Sequence, residues 1–366
     1  MTSERYADRM RRVADEGAAQ GFGAVIVPPS PDLEYLTGYG PMPLERPTIL
    51  VLRAGAEPVM LVPELERLLA VACPAASALE LIGWVDGIDP YAEAARLLPV
   101  DGRVAAADRL WASHLLGLQH AAPGVEFAAA SPIVGRIRAV KDPDELDALR
   151  RAGHAADRSF TSILTARFAG RQEREIAADL ADLLVRHGHA TAEFTIVASG
   201  PNAASPHHEP GERTIRPGDA VVLDFGGELD GYYSDTTRTV VVQEPPEGFD
   251  HVYTLVREAQ AAAVDAVRPG VEIQEVDRTA RRIITDGGSG AGFIHRTGHG
   301  IGREVHEPPY AIEGDRTILE PGMTFSVEPG IYLEGAFGVR IEDIVAVTED
   351  GVERLNRSTR ELQVVT

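Results

Sequence analysis

Residues 223–239 read LDFGGELDGYYSDTTRT, and this stretch decides how the rest of the chain is organised. It sets Asp224 and Asp235 eleven residues apart, on what reads as two short strands joined by a Gly-rich polar turn. The leading segment, DAVVLDF at 219–225, has the Val and Leu content of a buried strand, and so does VRIEDIVA at 339–346, which carries Glu342. A carboxylate in such a strand is costly unless it is paired or bound to a cation. Lys and Arg are scarce in both segments, with Arg340 the only base beside Glu342, so salt bridges alone do not neutralise these acids. Further along, His299 stands in HRTGHGIG and Glu328 in SVEPGIY, in similarly built contexts. One His and four carboxylates form a ligand set for two divalent cations. Two ions held about 3.5–4 Å apart can activate a water between them and polarise a carbonyl at once.

Together, DFGGELDGYYSDTTRT, HRTGHGIGREVHE, EPGIY and GVRIED resemble the metal-dependent pita-bread peptidases: prolidase, aminopeptidase P and methionine aminopeptidase. The intervals between residues 224, 235, 299, 328 and 342 are 11, 64, 29 and 14, similar to those of the proline-directed branch. A single acidic pair is a weak signal, whereas five ligands in order with their flanks are a strong one. The resemblance covers residues 140–350 well and the N-terminal part more loosely. It implies an α+β fold, with a C-terminal pita-bread (creatinase/aminopeptidase-like) catalytic domain over 140–366 and a smaller α/β N-terminal creatinase-like domain over 1–139.

The resemblance also implies roles. Asp235 and Glu342 match ligands that bridge two metals, Asp224 one that chelates the first, and His299 and Glu328 ligands that complete the second. Glu328 further matches a general base towards the bridging water and a later proton shuttle. Mostly oxygen ligands with one imidazole suit Mn2+, with Co2+, Fe2+ or Zn2+ as other occupants. His306, seven residues after His299, and His207, seventeen before Asp224, match positions that contact the scissile carbonyl and the developing oxyanion. His295, four before His299, matches a substrate-pocket histidine. Arg340 either orients the metal carboxylates or binds the substrate's carboxylate. Tyr232 and Tyr332 flank the motifs as pocket or core residues, and Gly298, Gly300 and Gly302 serve close backbone approach or turns. His208 has no assigned role, and the six histidines outside the motifs read as ordinary surface or core residues.

Composition limits the alternatives. The 366 residues are 44% hydrophobic, enough for two domains with their own cores. The 56 acidic residues outweigh 35 basic ones, a net charge of -21 that argues against nucleic acid or an anionic membrane as partner. The single cysteine, Cys73, excludes an internal disulfide framework and a Cys-rich zinc site, and reads as a small buried hydrophobe. The charged N-terminus lacks the apolar core of a signal peptide, and no run reaches the roughly 18 apolar residues of a membrane span, so a cytoplasmic protein is expected.

Residues 1–139 alternate helix-like and strand-like segments, with strands expected at 24–27, 48–52, 58–62, 79–85 and 104–107 and a helix at 91–98. No dinucleotide or P-loop fingerprint is present. A boundary falls in RAVKDPD at 138–144: Asp142, Pro143 and Glu145 have the form of an N-cap, a first-turn proline and a capping-box acid. The helix they open carries Leu146, Leu149, Gly153, Phe160 and Leu164 on one stripe and is expected to stop at Gly170. Ile176, Leu180, Leu183 and Leu184 mark the next, closed by Gly188, and later helices are expected at 249–267 and 272–285.

These features favour an Xaa-Pro dipeptidase of the prolidase type, with aminopeptidase P as the alternative for longer peptides. The length and the PNAASPHH and HRTGHGIG segments are similar to compact bacterial prolidases, whereas methionine aminopeptidases generally lack an N-terminal domain of this size. A metal-free binding protein and a creatinase-like C–N hydrolase are disfavoured by the intact ligand set. Short proline-containing peptides are the expected partners, in a homodimer where Arg46 of a neighbouring subunit caps the substrate's C-terminus. An organophosphate side activity is a known property of some relatives that nothing in this sequence establishes.

Overall fold

The structure is a computed structural model that describes residues 2–366. The chain divides into two compact units, one ending at Arg138 and the other spanning Ala139–Thr366.

The first unit is α/β. Its six-stranded mixed sheet has the order Glu80–Trp84, Val59–Pro63, Ile49–Leu52, Ala24–Val27, Gly102–Ala106, Val125–Ala129. The two-residue period of a strand sorts its side chains. Val25, Val27, Leu50, Leu52, Met60, Val62 and Ala105 pack on one face, and Ala24, Ile26, Ile49, Val51, Leu61, Val104 and Ala106 on the other. The N-terminal helix, Ser3–Ala19, buries Tyr6, Met10 and Val13 against the first of these faces. The edge strand Val125–Ala129 was not expected, because its VEFAA sequence lacks the β-branched run of the others and it stays mostly half-exposed. The helix expected at 91–98 is shorter, Pro90–Ala95, and Leu98 packs as a buried coil residue.

In the second unit two five-stranded sheets carry the acidic motifs. The first has the order Gln363–Val365, Thr236–Val242, Ala220–Leu229, Thr191–Ser199, with Tyr232–Tyr233 paired to Ala220–Leu229. The second runs Glu307–Ala311, Gly298–Gly300, Thr324–Val327, Asp343–Val347, Val352–Arg354. Helices Pro143–Ile163 and Glu173–Arg186 cover the first sheet through Phe160, Ile163, Ile176, Leu180 and Leu184. Helices Phe249–Asp265 and Gln274–Asp286 cover the second through Val256, Val276, Ala280 and Ile284. The Asp142 capping box forms with both of its hydrogen bonds. No helix among the described residues is long and apolar enough to cross a membrane.

Three expectations need correction. Residues 339–346 are not one strand: Phe337–Arg340 pairs with Gly330–Leu333 in a separate hairpin, Asp343–Val347 joins the second sheet, and Ile341 and Glu342 lie in the break. The apolar run concealed that break because both pieces are buried. Asp235 is not within a strand but immediately precedes Thr236–Val242. The first helix of this unit ends at Ile163, well before Gly170, and Phe168 beyond it packs against the sheet as a loop residue.

Close strand approach explains two glycines of the HRTGHGIG motif. A Cβ at Gly298 would lie 1.8 Å from the Ser326 carbonyl oxygen, and one at Gly300 would lie 2.4 Å from that of Glu307. Gly298→Ala is expected to destabilise the protein by about 3 kcal/mol, the upper range for forced overpacking. Urea denaturation reads this directly, and an unchanged midpoint would contradict so tight an approach.

Candidate metal centre

Alternation along Ala220–Leu229 aims Asp224. Val221, Leu223 and Phe225 pack into the helix-covered core, so Asp224 points to the opposite face of the sheet. Its antiparallel neighbour in register is Thr237. The Glu342 backbone N–H donates to the Thr237 carbonyl at 3.0 Å, which ties the break in the 339–346 segment to the first sheet. His299 comes from the short strand Gly298–Gly300, and Glu328 follows the neighbouring strand Thr324–Val327.

These elements converge on one cluster. Ligand atoms of Asp224, Asp235 and Glu342 lie within 4.8 Å of one another, as do those of His299, Glu328 and Glu342 and those of Asp235, His299 and His306. His299 Nε2 is 3.5 Å from Asp235 Oδ2 and 3.3 Å from Glu328 Oε1. Its Nδ1 lies 3.1 Å from the Gly300 carbonyl oxygen, which can only accept, so the network assigns the proton to Nδ1 and leaves the Nε2 lone pair facing the acids. Asp224 Oδ1, Asp235 Oδ1 and Glu342 Oε1 are buried with no hydrogen-bond partner among the described residues. Orphaned carboxylate oxygens beside a deprotonated imidazole nitrogen are the donor set a divalent cation completes, so these residues fit metal ions.

Without a cation the acids repel. Burial and then the charges of Glu342, Asp224 and Glu328 push Asp235 well above the ordinary carboxylate range. Glu342 rises for the same reasons, burial first and then Glu328 and Asp224. Glu328 is pushed up to about 7 by burial, against the opposing charge of Arg340. Burial, and then the charge of neighbouring His306, drives His299 down.

Second contacts hold these side chains in place. Arg340 uses all three side-chain nitrogens: Nε to Thr237 Oγ1 at 3.2 Å, one terminal nitrogen to the Tyr332 hydroxyl at 2.7 Å, and the other to Asp224 Oδ2 at 2.5 Å. The Tyr332 hydroxyl in turn donates to His295 Nε2 at 2.8 Å, while His295 Nδ1 bonds the Arg296 carbonyl at 2.7 Å. Burial holds His295 neutral, with its pKa lowered to about 4. Thr237 Oγ1 donates to Glu342 Oε2 at 2.7 Å, and Ser326 Oγ donates to Glu328 Oε1 at 3.1 Å. Asn356 reaches the backbone carbonyl of Asp235, and buried Arg238 grips the Glu342 carbonyl and the Asp343 carboxylate.

The remaining expected residues separate. His306 packs tilted against His299 with ring centroids 3.9 Å apart, and burial then the charges of Arg296 and His207 lower its pKa. His207 is an exposed turn residue whose charge is felt at both His306 and His295, so it lies at the mouth of the cluster. Tyr232 is a core residue whose hydroxyl donates to Glu145 at 2.7 Å. Arg46 belongs to the first unit, where it pairs with Asp86 and Glu45. His208, left without a role by the sequence, bonds Glu173 at 2.8 Å. Buried Glu173 also accepts from Ser199 and Asn202, and so anchors the turn that carries His207. Only a first-turn helix acid marks Glu173 in the sequence, and nothing there distinguishes it from other such acids. Thr237 and Ser326 could have been found as polar residues on buried strands beside ligands.

Comparison with known proteins gives the family. The pattern of metallopeptidase family M24 matches residues 147–349, and that of the creatinase/prolidase N-terminal domain matches residues 9–140. The chain belongs to metallopeptidase family M24. Among M24 relatives, the probable dipeptidase PepE of Mycobacterium tuberculosis (strain ATCC 25618 / H37Rv) is 43% identical over 368 residues, covering 99% of this chain and 97% of that protein. The Xaa-Pro dipeptidase of Lactobacillus delbrueckii subsp. lactis is 37% identical over 353 residues, 94% of this chain and 95% of that one. The crystal structure of dipeptidase PepE from Mycobacterium ulcerans superimposes with a TM-score of 0.97 at 42% identity, covering 100% of this chain and 99% of that chain. This M24 protein is therefore a metallopeptidase with the pita-bread fold and a creatinase-type N-terminal domain.

The acid cluster gives the metal-free M24 protein a pH signature. A carboxylate with a raised folded-state pKa binds its proton more tightly folded than unfolded, so its contribution is present at low pH and is lost as pH rises through the folded value, about 7 for Glu328. The histidines held low act in the opposite sense, but only below their ordinary value of about 6.5. The melting temperature of the metal-free protein is therefore expected to fall as pH rises towards about 7, most clearly above about 6.5 where the histidines no longer oppose it, with added metal removing most of the fall. A flat profile by calorimetry would contradict the repulsion.

Proposed function

We propose that this M24 peptidase is an Xaa-Pro dipeptidase of the prolidase type that works with two divalent cations, Mn2+ by preference. The observation that carries the reading is the convergence of the three orphaned oxygens of Asp224, Asp235 and Glu342 with the free Nε2 of His299 and with Glu328. Asp224, Asp235, His299, Glu328 and Glu342 would hold the pair, with Asp235 and Glu342 shared. When bound, such a pair supplies Lewis-acid polarisation of the scissile carbonyl and a hydrolytic water that ionises near neutrality.

The protein's own groups do the rest. Glu328 is the one cluster carboxylate that is part-exposed, and its hydrogen bond from Ser326 fixes one oxygen. Its other oxygen takes a proton from the attacking water and returns one to the proline nitrogen as the C–N bond breaks. His306 and His207 line the mouth, and neutral His306 can donate to the carbonyl oxygen as negative charge develops there. Arg340 acts through Asp224 and through Tyr332 and His295, holding the metal site and the pocket wall in one hydrogen-bonded frame. The proline preference rests on the relatives named Xaa-Pro dipeptidase, and the reading includes short proline-containing peptides as substrates and a cytoplasmic homodimer.

Chelated protein given Mn2+ is expected to release proline from an Xaa-Pro dipeptide and to leave an Xaa-Pro-Yaa tripeptide intact. Cleavage of the tripeptide would assign an aminopeptidase P activity instead, and cleavage of neither with metal bound would remove the proline preference. In the same assay Glu328→Gln should lower kcat by about 10²–10⁴-fold, the usual share of general acid–base catalysis, with a much smaller change in substrate binding.

A further inference from the structure

The bases around the cluster are nearly all engaged. Arg340 spends every nitrogen on Thr237, Tyr332 and Asp224, Arg281 pairs with Asp277, Arg238 with Asp343, and Lys141 with Glu307. Arg296 differs. Its guanidinium makes no hydrogen bond or ion pair with any described residue and lies over the Tyr310 ring, 4.5 Å from its centre.

That placement is built. Tyr310 stands opposite His299 in the antiparallel register, so the ring beneath Arg296 is a direct neighbour of a metal-ligand position. The Arg296 carbonyl accepts from His295, and the next residue, Thr297, is tied to buried Asp277 through both its backbone N–H, at 3.1 Å, and its hydroxyl, at 2.8 Å. The Arg296 charge is felt at His299, His306 and Glu328, which places it on the cluster side of the loop. A guanidinium held over an aromatic ring without a hydrogen-bond partner keeps its N–H donors for a ligand, and those donors match a carboxylate in bidentate geometry.

We propose that Arg296 receives a carboxylate of the peptide substrate at the rim of the metal site and so favours substrates carrying one beside the scissile bond. The inference rests on the dipeptidase reading above. Two parts of such a substrate offer this chemistry: the C-terminal carboxylate of the proline, which every Xaa-Pro dipeptide has, and the side chain of an acidic residue before it.

Arg296→Gln and Arg296→Lys separate these sources when compared with the unmodified, Mn2+-loaded protein on Ala-Pro, Gln-Pro and Glu-Pro. The C-terminal amide of Ala-Pro is added as a competitor of Ala-Pro hydrolysis, and bound metal is measured in parallel. If the proline carboxylate is the ligand, Arg296→Gln should raise KM for all three dipeptides by about tenfold to a hundredfold, the range of a charge-assisted hydrogen bond. The kcat should change far less, inhibition by the amide should stay unchanged, and Arg296→Lys should recover part of the loss. If the side chain is the ligand, the loss should be confined to Glu-Pro. An equal loss of amide binding, a loss of bound metal, or no change on any substrate would overturn the proposal. An unmodified protein that binds metal but cleaves none of the three dipeptides would instead overturn the dipeptidase reading, and with it this subsite.

Discussion

Three carboxylate oxygens, from Asp224, Asp235 and Glu342, are buried together with no hydrogen-bond partner among the described residues. An unsatisfied buried acceptor costs about 1–3 kcal/mol, and like charges at this spacing add repulsion. The second unit has to keep these groups close against that cost, and much of its polar architecture serves this one constraint. Arg340 neutralises one oxygen of Asp224, Thr237 satisfies one of Glu342, Ser326 one of Glu328, and Asn356 and Arg238 grip the backbones of Asp235 and Glu342. Each of these contacts covers one side of a ligand and leaves another facing the common centre.

The two-sheet design follows from the same constraint. Each sheet is covered by a helix pair on one face, where apolar residues of alternating strands pack; Asp224 and His299 stand within strands, and Asp235, Glu328 and Glu342 in the residues that adjoin them. A rigid sheet framework holds opposed charges with less loss of order than a loop could. The exposed parts, His207 on its turn and His306 at the surface, lie at the mouth, where a substrate has to enter. Even there the turn is pinned, because Glu173 collects donors from Ser199, Asn202 and His208; burial alone would raise its pKa, yet those donors hold it below the ordinary value.

Part of the candidate ligand set was legible because acids in Val- and Leu-rich strands conflict with local composition, and such a conflict marks function. Asp224 and Glu342 could be picked out on that ground, Asp235, His299 and Glu328 through the motifs around them, and the cluster brings all five together. The break at Ile341 and Glu342 was not legible, because both strands it separates are equally apolar. Nor was Glu173, whose partners arrive from a turn 26 and more residues further on. The same holds for Arg340: its position two residues before Glu342 suggested a role near the acids, but its choice of Asp224 and Tyr332 depends on where another sheet and a hairpin lie.

The sequence by itself determined the α/β class and five of the six strands of the first unit, the four long helices of the second, and the identity of the acid and imidazole groups, because periodicity, caps and composition are local properties of the chain. Tertiary structure decided what those groups do to one another. The imidazole tautomer of His299, the rise of Glu328 to about 7, the frame running from Asp224 through Arg340 and Tyr332 to His295, and the unpaired edge of Arg296 all depend on distances between residues far apart in sequence. Electrostatic and hydrogen-bond energies fall steeply with such distances and rise with burial, so they are fixed only when the sheets and the loops between them have packed.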